Sequence, residues 1–215
     1  MHNYSKRLKW VMHPLSLVSA LCLSLSAVRA FWQNENLYLF LVWNLFLAAI
    51  PYLATKYLDT KAWFKSLLVM GISILFLPNA AYLVTDFVHF RHGHRGANLW
   101  YDLVLFFSYG LAGILFTYYA IQDLGSYVRR QFGNWLYRAF LALVFPAIGY
   151  GIYLGRIERY NSWDLVLHPF SFARGMWGIL TGPELFPAIR FSLLFAFFAA
   201  LLHYILLALH THKQA

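Results

Sequence analysis

The sequence predicts an all-α, polytopic membrane protein with a bundle of six transmembrane helices, and three features of its 215 residues support this prediction. Hydrophobic residues make up 61% of the chain and charged residues 12%, whereas soluble domains contain about 45–50% and about 25%. Six long segments lack charged residues. None of them shows the alternation of a membrane barrel strand. A soluble fold is excluded because its surface needs more polar side chains.

Each charge-free segment has a length close to the about 20 apolar residues that a helix needs to cross the hydrocarbon core. The segments are 10–28, 36–55, 66–85, 103–122, 139–155 and 191–212, with 19, 20, 20, 20, 17 and 22 residues. We refer to them as spans one to six. No linker or repeat divides the chain, so residues 1–215 form a single predicted integral membrane domain.

The first span has an alternative interpretation as a secretory signal. Basic residues precede it, and it ends in Val28-Arg29-Ala30, which resembles a cleavage site with small residues. Its 19 residues exceed the usual signal core of about 7–15, so we favour a span that is not cleaved.

The distribution of lysine and arginine predicts the orientation. The two termini and the connections after spans two and four carry ten of these residues, whereas the other three connections carry seven. We therefore expect both termini in the cytoplasm. The lipid bilayer is the expected partner, because a net charge of +9 fits contact with anionic head groups. Nucleic acid is not expected, because no basic patch lies on a soluble segment.

Span three carries polar residues on one helical face near its end. They follow Pro78 at spacings of three, four and three residues: Asn79, Tyr82, Asp86 and His89. Pro78 is expected to kink the helix and to free the carbonyl of Ile74. In a structural interpretation, Asn79 repairs the backbone, Tyr82 anchors at the head groups and Asp86 marks the helix end. In a functional interpretation, the four form a polar stripe that enters the bundle.

The two following spans place further polar residues at the same membrane surface. Asp102 precedes span four, where an acid also favours the helix N-terminus. Span five ends in Gly151-Ile-Tyr-Leu-Gly155, a small-residue pattern that allows close helix contact. After Arg156, residues 161–164 have the composition of a helix cap, and we expect a short interfacial helix there.

With six spans, the third and fifth connections lie on the same side, which predicts one polar pocket at the outer interface. Three of the five aspartates lie on this side, and buried carboxylates require partners such as Arg156 or Arg159. The candidate catalytic residues are Asp86, Asp102, Arg156 and Asp164. The candidate substrate-binding residues are Asn79, Tyr82, His89, Arg159, Asn161 and Trp163.

A metal site is not predicted, although histidines cluster after span three. Asp86, His89, His92 and His94 lie within nine residues, but Arg91 and Arg95 intervene and no second cluster completes the site. We also expect no cofactor. The single cysteine, Cys22, excludes an internal disulfide.

Three stretches and one turn carry a family resemblance. They are FLPNAAYLVTD (76–86), LWYDL (99–103), GIYLGR through NSWD (151–164) and the turn RQFG (130–133). As a set they resemble the bacterial membrane proteins of the domain of unknown function 1361 family. This resemblance implies a multi-pass protein of the bacterial cytoplasmic (inner) membrane, and it supplies no catalytic residue. His168 departs from the pattern, because we expect Asn before Pro169.

The leading functional hypothesis is an enzyme that acts on a lipid-linked or amphiphilic substrate by acid/base chemistry. Asp86 or Asp102 would serve as acid or base, Arg156 would bind an anionic group, and Asn161 and Asp164 would orient the substrate. A small-solute transporter or channel-like protein would use a helix break at Pro78-Asn79. A non-catalytic accessory subunit would use the same polar residues as a structural cluster.

Overall fold

The structure, a computed structural model, describes residues 2–33, 38–91 and 97–212, and every regular element in these ranges is a helix. The helices are α1 (His2–Gln33), α2 (Leu39–Thr55), α3 (Trp63–Tyr82), α4 (Ala97–Arg156), α5 (Asp164–Leu167), α6 (Pro169–Thr181) and α7 (Leu185–His212). A 3-10 helix, Leu83–Arg91, directly continues α3. The prediction of an all-α protein is therefore confirmed.

Helix α4 is a hairpin rather than one straight helix. Gly133 has φ 86° and ψ 179°, a conformation that residues with a side chain strongly disfavour. A Cβ atom on Gly125 would meet the ring of Tyr137, twelve positions further along the chain. In a straight helix these residues would be about 18 Å apart. The arms 97–132 and 134–156 therefore run antiparallel, and Gly133 reverses the chain.

The connection between spans four and five is shorter than the sequence predicts. Residues 123–138 are helical except at Gly133, so the helices extend well beyond the charge-free segments. The basic residues Arg129, Arg130 and Arg138 lie on these extensions. Arginine is a good helix former, so a charge marks the end of an apolar segment without ending the helix.

The hairpin forms the centre of the molecule, where it packs against α1, α2, α3 and α7. Close contact with α3 depends on two glycines of the second arm. A side chain at Gly151 would overlap the ring of Pro78, and one at Gly155 would lie 3.1 Å from the ring of Tyr82. The predicted close helix approach at this pair is confirmed.

Four helical stretches of the described chain are long and apolar enough to cross a membrane: Pro14–Phe31, Trp63–Val88, Leu99–Arg156 and Leu185–Thr211. Helix α2 is also apolar but has only 17 residues. Large apolar side chains such as Leu194 and Phe197 on α7 are exposed on the surface of the bundle. Lipid is the medium that such a surface requires, so the chain is a helical membrane protein.

Helix α3 continues through Pro78 to Tyr82 before it tightens into the 3-10 helix. The interruption that the transporter hypothesis requires is therefore not found in this described helix. After α4, the predicted short helix consists of two elements, α5 and α6. Asp164 lies in the first turn of α5, as expected, and Pro169 begins α6.

Candidate functional site

An ion pair joins the end of α3 to the end of α4. The Arg156 guanidinium binds the Asp86 carboxylate through Nη2 and donates from Nε to Thr85 Oγ1 at 2.7 Å. The guanidinium also lies over the ring of Tyr82, 3.7 Å from its centroid. Asp86 is completely buried, so the pair offsets the cost of removing this carboxylate from water. Of the two expected arginines, Arg156 is the one that the structure places against Asp86.

Asn44 of α2 also binds Asp86. Asn44 was not among the predicted site residues. Its Nδ2 donates to Asp86 Oδ2 at 3.1 Å. Asn44 is the one carboxamide in the apolar sequence of α2. A polar group in a transmembrane segment is costly unless it has a partner, so this position carried a usable indication of a site.

Asp102 forms an ion pair with an arginine of α1. Arg29 of α1 donates to both carboxylate oxygens of Asp102, from Nε at 2.6 Å and from Nη2 at 3.0 Å. The Tyr38 hydroxyl donates to the same carboxylate at 3.4 Å. This planar, two-bond geometry is specific to arginine. Arg29, rather than the expected Arg156 or Arg159, is thus the arginine that binds Asp102.

The connection after α4 is bound to α3 through Ser162. Asn79 Nδ2 donates to Ser162 Oγ at 2.9 Å, and Ser162 Oγ donates to the carbonyl of Leu75 at 3.1 Å. Ser162 thus binds the carbonyl next to that of Ile74, and the repair of the Ile74 carbonyl by Asn79 stays a prediction. Asn79 binds the same hydroxyl oxygen of Ser162 through its Nδ2 group.

A tight turn brings residues 160–163 back over the end of α4. Arg159 has a left-handed conformation with φ 60°, and the Tyr160 N–H donates to the carbonyl of Leu154 at 2.9 Å. The exposed Arg159 side chain forms no ion pair within the described part of the chain. Asp164 accepts from the backbone N–H of Asn161 at 2.6 Å, so Asp164 and Asn161 stabilise the turn together.

Two adjoining cavities lie beneath this turn. The polar cavity, of about 110 Å³, is lined among others by Trp43, Asn44, Asn79, Tyr82, Asn161 and Trp163. The apolar cavity, of about 250 Å³, is lined among others by Ile74, Pro78, Ala147, Gly151, Leu154 and Phe172. The two share six wall residues: Asn79, Tyr82, Gly155, Tyr160, Asn161 and Ser162.

The cavities separate the predicted site residues into two groups. Of the candidate substrate-binding residues, four line the polar cavity: Asn79, Tyr82, Asn161 and Trp163. None of the four candidate catalytic residues, Asp86, Asp102, Arg156 and Asp164, is a wall residue of either cavity. The side chain of His89, with His92 and His94, lies outside the described residues. Within the described ranges no three histidine, cysteine or acidic residues form a metal-binding group.

The position of these cavities coincides with a region shared among related proteins. The family model named protein of unknown function (DUF1361) matches residues 43–203, about three quarters of the chain. The chain belongs to the DUF1361 family. In this DUF1361 protein the matched region contains both cavities and the Asp86–Arg156 pair, whereas Arg29 precedes it. No curated protein and no solved structure matches the chain.

Proposed function

We propose that this DUF1361 protein spans the bacterial inner membrane six times, with both termini in the cytoplasm, and binds an amphiphile at the outer interface. The proposed crossings are α1, α2, α3, the two arms of α4, and α7. The termini and the connections after spans two and four carry more lysines and arginines than the other connections, which supports this orientation.

The contacts between connections support an even number of crossings. The Arg29–Asp102 pair joins the first connection to the third, and the Asn79–Ser162 bond joins the end of α3 to the fifth. At the opposite ends of the helices, Lys56 Nζ lies 2.5 Å from Asp123 Oδ2, which joins the second connection to the extension of the fourth helix. Six crossings place these two groups of contacts on opposite membrane surfaces.

The joined polar and apolar cavities carry the proposal that the ligand is an amphiphile. A polar head group would bind between Asn44, Asn79 and Asn161, and a hydrocarbon chain would lie along Pro78 and Leu154. Ligand sites are usually apolar clefts with a few positioned polar groups, and the pair of cavities has this composition.

The ion pair has a positioning role in this proposal. Asp86 contacts Asn44, and Arg156 contacts Tyr82, so the pair holds two wall residues of the polar cavity in place. General acid/base catalysis requires a titratable group within hydrogen-bond reach of the substrate, and neither Asp86 nor Asp102 is a wall residue of the two cavities. We therefore propose ligand binding rather than acid/base chemistry at Asp86 or Asp102.

Photocrosslinking tests amphiphile binding. A single-chain amphiphile with a diazirine in its hydrocarbon chain should label residues 147–154 and 165–172, and excess unlabelled amphiphile should suppress the labelling. Ala147→Trp fills the apolar cavity and should remove most of the competed labelling. Ala142→Trp is the matched control, because Ala142 is exposed on the same arm but lines neither cavity. Equal labelling of both variants would refute the proposal.

A further inference from the structure

We infer that the head group bound in the polar cavity is an uncharged sugar, so that the ligand is a glycolipid. This inference rests on the proposed amphiphile binding and adds the chemical class of the head group. It depends on three features of the polar cavity: the lack of charge among its described wall residues, the orientation of three carboxamides, and its aromatic rings.

The described wall residues of the two cavities offer no charge that would bind an ionic head group. No lysine, arginine, histidine or acidic residue is among the described residues that line either cavity. Two carboxylates bind wall residues: Asp86, which is paired with Arg156, binds Asn44, and Asp164 binds Asn161. A phosphate or carboxylate would need an arginine fork or a lysine within hydrogen-bond distance, and an unpaired ion in this position would be costly.

Two of the three carboxamides have orientations that are determined by carboxylates. Asn44 faces Asp86, and Asn161 faces Asp164 at 3.3 Å. An ionised carboxylate only accepts hydrogen bonds, so each asparagine must present its N–H group to it. The carbonyl oxygen and the second N–H of each amide are then available to a ligand.

The orientation of the third carboxamide, Asn79, follows from Ser162. The hydroxyl hydrogen of Ser162 is donated to the carbonyl of Leu75, so its oxygen accepts from Asn79 Nδ2. Asn79 therefore also keeps one carbonyl oxygen and one N–H. Three amides with both an acceptor and a donor match a ligand whose groups both donate and accept.

Neighbouring hydroxyl groups of a sugar have this property. One hydroxyl donates to an amide oxygen while the next accepts from the N–H of the same amide. A phosphocholine head group offers no donor and would not bind the three carbonyl oxygens.

Aromatic rings supply the apolar part of sugar recognition. Trp43, Tyr82, Tyr160 and Trp163 line the polar cavity. Such rings combine an apolar face with a polar edge, and the C–H face of a pyranose packs on the ring face. The Arg156 guanidinium covers one face of Tyr82. Trp43 is 54% exposed despite being a wall residue, so a ligand would cover apolar surface there.

A binding comparison of three lipids tests the inference on the full chain in detergent. The probes are a monoglucosyl diacylglycerol, phosphatidylglycerol and unmodified diacylglycerol, all with the same acyl chains, and native mass spectrometry measures the occupancy. We expect the glucosyl lipid to bind about tenfold more tightly than either of the others, which corresponds to about 1.4 kcal/mol. Equal or tighter binding of phosphatidylglycerol would overturn the sugar inference and leave amphiphile binding intact. Failure of all three lipids to bind would overturn both.

Two substitutions at exposed positions avoid the risk of unfolding. Trp43→Ala and Asn161→Leu should each weaken binding of the glucosyl lipid by about two- to tenfold and leave diacylglycerol binding unchanged. Trp135→Ala is the matched control, because Trp135 is 77% exposed and lines neither cavity. Unchanged glucosyl lipid binding in both test variants would overturn the inference.

Discussion

Arg156 contacts three neighbouring side chains that lie 70 or more positions before it in the sequence. It neutralises a buried carboxylate, binds the hydroxyl of Thr85, and covers the ring of Tyr82. A lysine would retain the charge but has no planar group to make these contacts at once. The substitution Arg156→Lys is therefore expected to lower the stability of the protein.

Arg156→Met should destabilise the protein by about 3–5 kcal/mol, because it removes the guanidinium that binds the buried Asp86 carboxylate. Arg156→Lys should give a smaller loss. The measurement is the fraction of monodisperse protein that remains after heating in detergent, observed by size-exclusion chromatography.

Two further variants identify the cause of this loss. Asp86→Asn combined with Arg156→Met should recover part of the stability, since both charges of the ion pair are then removed. Arg174→Met should have little effect, because Arg174 is exposed and forms no ion pair among the described residues. If the double variant were less stable than Arg156→Met alone, the buried charge would not be the cause.

At the scale of the elements, α1 is joined to the rest of the bundle by a buried pair. Arg29 is only 6% exposed, and its guanidinium neutralises Asp102. Cleavage after Ala30 would remove Arg29 and leave Asp102 buried without this partner. The pair therefore supports the interpretation of the first apolar segment as a retained span.

The purified protein should accordingly retain its first 30 residues. Intact mass spectrometry of protein expressed without an N-terminal fusion should give a mass near 25.0 kDa. A mature species that begins at residue 31 would show that the segment is a cleaved signal, and the Arg29–Asp102 pair would then not form in the mature protein.

The hairpin of α4 depends on one residue. Gly133→Ala should destabilise the protein by about 1–3 kcal/mol, because φ 86° with ψ 179° is accessible essentially only to glycine. Thermal stability in detergent is again the measurement.

Gly178→Ala provides the matched control for the hairpin. Gly178 lies within α6, and a Cβ atom there would meet no other atom within 4 Å. Alanine is the better helix former, so this variant should be as stable as the wild type or slightly more stable. Equal effects of the two substitutions would show that the backbone conformation of Gly133 does not limit the fold.

At the scale of the whole molecule, the ion pairs and polar side chains lie at two ends of the bundle. Under the proposed arrangement, the turn that contains Asn161 lies outside the cytoplasm and the hairpin tip that contains Arg130 lies inside. Both side chains are exposed, and the native Cys22 is buried. These positions therefore suit cysteine labelling.

Asn161→Cys should react with a membrane-impermeant maleimide in intact cells whose outer membrane is permeable. Arg130→Cys should react only after the inner membrane is opened. Mass shift on a gel measures the reaction, and the wild-type chain with its buried Cys22 is the control for background. Reaction of both variants from the same side would contradict the proposed number of crossings.

The sequence alone determined the helical membrane class, the apolar segments and the family, because length and composition of a segment are local properties. It also identified Asn79 and Tyr82, because their spacing defines a helical face, and Asn161, because residues 161–164 have the composition of a helix cap. Only the tertiary structure decided which partner each charge has. Asp86 and Arg156 are 70 positions apart, and Asp102 and Arg29 are 73 positions apart. Helical periodicity states which residues share a face but not which helix that face meets, so the pairing of Asp86 with Arg156 and of Asp102 with Arg29 depended on packing.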